Sequence, residues 1–292
     1  MSIITTLWQD KDFGGLGLTS TLSGGRYRWN TWAGHNDMFS SMRTWTTGGR
    51  GDAYAFDNID FSGHFAALTV GDRYTSAWWS YFGDSFNDRV SSSLMVARES
   101  RDRESEVQLK ALVTGQFAAI FDSRVQGKPV SRAGDPRLYA TFFPSFAPDR
   151  VFATIDQALT VKVRIPLKVT IPNPFGDDWE IDLGTFRWLD YSARVRYHVR
   201  FFVIDGVMHG VAEWVSVWVE AGVFSQRVFD DLAPQLRNAA SSLTSAIESA
   251  LALFNRQRFA DVYLLPGPAP DPQQAGFQAN YDDDVTLVAV RR

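Results

Sequence analysis

No cysteine occurs in the 292 residues. That one absence removes disulfides, thiolate zinc sites, iron–sulfur ligation and a cysteine nucleophile together. No apolar run approaches the roughly 20 residues a helix needs to cross a bilayer, so no transmembrane segment is expected. The opening MSIITTLWQDKD lacks the basic-then-apolar order of a secretory signal, which leaves the compartment open between cytoplasm and non-classical export. Charge of one sign is missing too: 29 basic and 33 acidic residues leave a net −4, so no general pull toward nucleic acid or anionic lipid is expected. His is scarce, at four residues, and no G-x-S-x-G, H-E-x-x-H or P-loop sequence appears. An enzyme is not expected.

What is present is aromatic. Hydrophobic residues at 45% and charged ones at 21% are ordinary for a packed globular chain. Ten Trp, nine Tyr and 22 Phe are not, and they favour β-rich structure because flat side chains pack well on pleated surfaces.

The first third repeats itself. WQDKDFGG (8–15) aligns with FDNIDFSG (56–63), placing Trp8, Phe13 and Gly15 over Phe56, Phe61 and Gly63. NDMFSSM (36–42) then aligns with NDRVSSS (87–93), at offsets of 28 and 31 residues from the aromatic that opens each copy. Short runs such as AYAF and FAALTV, bounded by Gly, Asn, Asp and Ser at intervals near ten residues, have the rhythm of hairpin-connected strands. Two four-stranded units of this kind, facing each other, make a small sandwich. Between the copies, RGD at 50–52 lies in a Gly-rich connection and reads as a turn; Gly15-Leu16-Gly17 and Gly24-Gly25 also read as turns.

Aromatic-x4-aromatic-x-Gly followed by (Asn/Asp)-(Asn/Asp)-x-x-(Ser/Thr)-Ser, twice in succession, resembles a βγ-crystallin domain of the calcium-binding microbial type, over residues 2–98. The resemblance implies a double Greek-key β-sandwich and two Ca2+ sites. Each would combine groups from both copies: the Asp37 and Asp88 carboxylates, the Ser40 and Ser91 hydroxyls, the peptide carbonyls of Met38 and Arg89, and one hairpin carbonyl near Lys11 or near Ile59. Ser41 and Ser92 would brace the arches. Calcium, a hard cation that takes six to eight oxygens, suits such a set. The competing reading is an Asx turn that merely caps its own backbone.

The remainder shows no family motif. RESRDRESE (98–106) reads as a linker or a solvated helix start, which gives domains at 1–98 and 107–292 joined by 99–106. VQLKALVTGQFAAIF (107–121) fits helical spacing and alternates nearly as well. RLYATFFPSF reads as extended, and DRVFATIDQAL (149–159) as a short helix entered through Asp149. LTVKVRIPLKVTI (159–171) is a strand with an edge or bulge at Pro166, and DWEIDLGTF (178–186) is another. YSARVRYHVRFFVI-DG-VMHGVAEWVSVWVE (191–220) is a long hairpin turning at Asp205-Gly206.

Pairing Ile204 with Val207 in that hairpin sets Ala193, Val195, Tyr197, Val199, Phe201 and Val203 on a core face with Met208, Ala212, Trp214 and Trp218. The other face carries Arg194, Arg196, His198 and Arg200 beside Val211, Glu213, Val215 and Val217, with His198 opposite Glu213. His209 lies about 13 Å from Glu213 at strand rise, too far to share a metal. SQRVFDDLAPQLRNAASSLTSAIESALALFNRQ (225–257) reads as one amphipathic helix through Val228, Leu232, Leu236, Ala239, Leu243, Ile247, Ala250 and Phe254, with Pro234 near its start. FADVYLLPG (259–267) and VTLVAVRR close the chain as strands around a Pro-rich loop. Asp177-Asp178 and Asp282-Asp283-Asp284 read as solvated turns or weak extra cation sites.

The fold class that follows is β-rich, with a crystallin-like sandwich and an α+β domain of long antiparallel strands and one long helix, shaped to leave an apolar groove or lipid tunnel. The function that follows is non-enzymatic calcium binding, in which Ca2+ stabilises the first module in a structural or stress role and the second module binds a lipid or protein partner or self-assembles. The alternative is a membrane-active, toxin-like or lipid-binding protein acting through the second module.

Overall fold

The computed structural model describes residues 2–35, 37–61, 63–71, 75–82, 87–142, 150–171, 179–222, 225–267, 277–278 and 284–292. The described residues are β-rich, with several antiparallel sheets and two α-helices among them. Among the described residues no helix is long and apolar enough to cross a membrane.

The first copy contributes strands β1 (Ile3–Trp8), β2 (Gly17–Leu22), β3 (Tyr27–Thr31) and β4 (Ser41–Thr46), the second β5 (Arg50–Phe56), β6 (Phe65–Val70), β7 (Ser76–Trp79) and β8 (Ser92–Arg98). The copies do not form separate sheets, as the four-stranded units read from the sequence would. Each lends its third strand to the other: β7 pairs with β4, and β3 pairs with β8. The resulting orders are β2-β1-β4-β7 and β6-β5-β8-β3. Between the sheets, Ile3, Leu7, Leu22 and Met42 pack against Ala53, Ala55, Leu68, Val70 and Met95. Contact there is close: a Cβ on Gly51 would fall 2.0 Å from Ile3 Cδ1.

β5 is buried along its whole length. By strand alternation Ala53 and Ala55 face the sandwich, while Tyr54 and Phe56 face a second, larger core. That two-sided burial explains the unbroken apolar run AYAF. It also removes RGD from the surface and from the turn expected there. Gly48 and Gly49 make the turn, with φ 150° and 78°, whereas Arg50 and Asp52 are buried inside β5. Asp52 pairs with Arg98 at 2.8 Å, Arg98 with Glu104 at 2.7 Å, and Arg50 and Tyr263 both reach Glu104.

Glu104 lies in the stretch expected as a linker. Residues 101–103 form a turn, and 104–108 form strand β9 (Glu104–Gln108). The charges of RESRDRESE that suggested a solvated segment include Arg98 and Glu104, which are held in this buried network. Helix α1 (Leu109–Val125) follows at once and resolves the ambiguous run, burying Leu109, Val113, Phe117, Phe121 and Val125.

β10 (Val130–Arg132) and β11 (Arg137–Phe142) both pair with one edge of β12 (Val151–Ile171), whose other edge takes β13 (Trp179–Ile204), itself paired with β14 (Val207–Val219). The short helix read at 149–159 is therefore corrected: residues 151–159 begin β12. Val151, Ala153, Ile155, Leu159 and Val161 face the core at period two, and the pairing with β11 on one side and β13 on the other overrides the helical spacing. A bulge sits between Pro166 and Lys168, where the missing N–H of proline breaks the ladder.

Asp205-Gly206 makes the expected two-residue turn, with φ 51° and 80°. The register expected from it holds only as far as Val199 opposite Ala212; Glu213 then bulges, and His198 faces Trp214 instead of Glu213. The extra residue reverses the faces beyond it. Trp214 and Trp218, read as core, are 48% and 57% exposed, and Val215, Val217 and Val219 pack against the core in their place. Glu213 pairs with Arg200 at 3.0 Å.

Helix α2 (Ser225–Leu251) buries Val228, Leu232, Leu236, Ala239, Leu243, Ile247 and Leu251. It is shorter than the expected 225–257, and a 3-10 turn over Phe254–Arg256 follows it. The space among α1, α2 and Phe201 is closed to about 10 Å³, while a groove of about 420 Å³ lies between the first turns of α2 and the sheet, lined by Val130, Val161, Val163, Val228 and Leu232. β17 (Val285–Arg291) pairs with β15 (Phe259–Pro266) on one side and with β9 on the other, while β16 (Phe277–Gln278) pairs with β6.

Candidate metal centre

The two repeated loops lie side by side. Phe39 and Val90, each at the middle of its loop, form an isolated antiparallel bridge and are fully buried. The residues ahead of them, Asp37 and Asp88, take left-handed backbone with φ 55° and 54°, a conformation Asp tolerates and one that turns the chain back on itself. Asn36 lies outside the described residues.

The loops exchange side chains. Ser40 Oγ lies 2.8 Å from Asp88 Oδ1 and 2.6 Å from the Gln9 carbonyl. Ser91 Oγ lies 3.2 Å from Asp37 Oδ1, 2.6 Å from the Asp57 carbonyl and 3.3 Å from the Arg89 carbonyl. A serine hydroxyl carries one proton. Each of the two hydroxyls therefore lies within reach of more acceptors than it has protons, two around Ser40 and three around Ser91. Each cluster joins residues of both copies.

The hairpins beside the pockets are pinned by the motif's aromatics and second serines. Trp8 meets Phe13 edge-on at 5.2 Å, and Phe56 meets Phe61 edge-on at 6.1 Å. Ser41 Oγ donates to the Asp10 carbonyl at 2.7 Å and Ser92 Oγ to the Asn58 carbonyl at 2.6 Å, the bracing role expected of them. Those bonds fix the chain one residue before Lys11 and before Ile59. The Lys11 carbonyl accepts from the Gly14 N–H at 3.3 Å. Gly63, with φ 82°, admits no Cβ, which would lie 1.9 Å from Asp57 Oδ1.

The copies differ in charge. Asp57 Oδ2 takes Arg89 Nη2 at 2.8 Å and His64 Nδ1 at 3.2 Å, while Asp57 Oδ1 is buried without a hydrogen-bond partner. The matching residues of the first copy are Gln9, Met38 and Leu16, none charged. Sequence reading missed Asp57, although its signal was present: an acid at the first hairpin position in one copy only.

Among the described residues no group of three or more His, Asp or Glu stands together as a metal site. Any cation here would rest on hydroxyls, carbonyls and one carboxylate per pocket, the donor set of a hard ion. Of the acidic clusters, Asp177, Asp178, Asp282 and Asp283 lie outside the described residues. Asp284 is structural: its Oδ1 accepts from the Lys110 N–H at 3.0 Å, near the start of α1, and from its neighbour Val285 at 2.7 Å. His209 pairs with Glu248 at 3.3 Å.

No family model and no curated protein matches the chain. Among solved structures, a βγ-crystallin from Ciona intestinalis aligns with 34% of this chain and 100% of its own, at 24% identity and a TM-score of 0.23.

Proposed function

We propose that this is a non-enzymatic calcium-binding protein, whose first 98 residues form a βγ-crystallin-like module of the calcium-binding microbial type. One site would use the Lys11 and Met38 carbonyls, Ser40 and Asp88, and the other the Ile59 and Arg89 carbonyls, Ser91 and Asp37. The observation that supports this most is the crowding of acceptor oxygens around Ser40 and Ser91. A divalent cation takes hydroxyl, carbonyl and carboxylate oxygens gathered in this way as ligands. Both sites bridge the copies, so bound calcium ties the two sheets together and acts chiefly as a stabiliser.

Isothermal titration of the metal-stripped protein tests this. Two equivalents of calcium are expected to bind, with Asp37→Ala and Asp88→Ala each losing one. A hundredfold excess over Kd adds about 2.7 kcal/mol per site, visible as a higher melting temperature. Titration without heat, together with an unchanged melting temperature, would sink the proposal.

A further inference from the structure

β10 and β11 cover one edge of β12 only as far as Val161, and among the described residues no strand pairs with that edge beyond it. Where the cover ends, the groove of about 420 Å³ opens between β12 and the first turns of α2, a size within the range of small-ligand sites. Its floor is apolar: Val161, Val228 and Leu232 are buried, and Val130 and Val163, half-buried, stand in front of them. Such surface gains by leaving water.

The rim is charged and mostly of one sign. Lys128, Lys162, Arg164 and Arg227 line the groove with a single acid, Asp231, in a chain whose net charge is −4. The side chains of Lys128, Lys162 and Arg227 have no ion-pair partner among the described residues. Arg227 lies in the first turn of α2, which holds no acidic residue. Its charge therefore adds to the positive end of the helix dipole, where an anion is favoured and a cation is not.

We propose that this groove binds a fatty acid. The hydrocarbon tail lies along the valines and Leu232, and the carboxylate sits between Lys128 and Arg227, taking charge-assisted hydrogen bonds from both. A bare anion leaves the apolar floor in water, and a neutral lipid leaves the cations unmatched. A long-chain carboxylate answers both walls at once.

The test uses the full chain in chelator, because calcium precipitates long-chain carboxylates; its result is then independent of the proposed metal sites. Calorimetry follows additions of acetate, octanoate, decanoate, laurate and dodecyltrimethylammonium, each below its micelle concentration. One equivalent of laurate is expected to saturate the protein. Each extension by two carbons should tighten binding by about fifteenfold, the factor for burying two more methylenes. Dodecyltrimethylammonium, with an equally long tail and the opposite charge, should bind at least about tenfold more weakly than laurate. The double variant Lys128→Gln, Arg227→Gln changes two exposed positions. It should weaken laurate by at least about tenfold with circular dichroism unchanged. Val163→Asp, which sets a carboxylate in the apolar wall, should weaken it further. The proposal is overturned if laurate does not saturate, if octanoate or acetate binds as tightly, or if the dodecyl cation does. Wild-type affinity in the double variant would overturn it as well.

Discussion

His198 sits between Thr154, 2.9 Å from its Nδ1, and the ring of Trp214, with Arg196, Asp156 and Ser216 nearby. Burial first, and the Arg196 guanidinium second, lower its pKa to about 4. In the unfolded chain it protonates near its ordinary value of about 6.5. Between those values the unfolded chain binds a proton that the folded chain refuses. Stability is therefore full above about pH 6.5, falls as pH drops toward 4, and levels off below; the loss is about 3 kcal/mol. Urea midpoints measured across that range should show this slope in the wild type and a flatter one in His198→Gln. Parallel slopes would assign the effect to other groups. The bulge at Glu213 was hidden in the sequence, because Trp214 and Trp218 are as apolar as Val215, Val217 and Val219, and either phase of the alternation reads as a core face. The repeated serines were legible for the opposite reason: their chemistry and spacing are local, and the same pattern occurs twice.

At the scale of elements, β14 is the outer strand of its sheet and α2 closes it. Three of its N–H groups are taken by side chains from the helix and the turn after it: Met208 by Asn255 Oδ1 at 2.8 Å, Gly210 by Glu248 Oε1 at 2.8 Å, and Ala212 by Thr244 Oγ1 at 3.0 Å. The helix thus blocks an edge that would otherwise invite another strand. Glu248→Ala should cost about 1–3 kcal/mol and Thr244→Val about 1 kcal/mol in chemical denaturation, since each leaves a strand donor unpaired. Glu248→Gln, which keeps an acceptor, should cost less than Glu248→Ala. The apolar stripe of α2 was readable from its period. The polar residues between its turns were not, because hydrogen bonds to a distant strand leave no periodic mark. DRVFATIDQAL was misread for a related reason: its apolar spacing suits both a helix and a strand, and β11 and β13 decide between them.

For the whole molecule, the two cores meet through β5 and β8, which present Tyr54, Phe56, Leu94 and Val96 to the larger core and Ala53, Ala55 and Met95 to the sandwich. Arg98 lies where they join, fully buried with Asp52 and Glu104. Arg98→Ala takes from Asp52 its buried cation and leaves Glu104 with Arg50 and Tyr263, and should cost about 3–5 kcal/mol, lowering a single calorimetric transition without splitting it. Two resolved peaks would show that the halves unfold apart. The repeat made the first third readable, while the junction was hidden, because charges in RESRDRESE look solvated until their partners on β5 are placed beside them. An excised copy of residues 1–98 would carry a bare aromatic plate on its back, made of Tyr54, Phe56 and Phe65. Used as a portable tag it would stick to itself, and the fragment worth cloning is the entire chain.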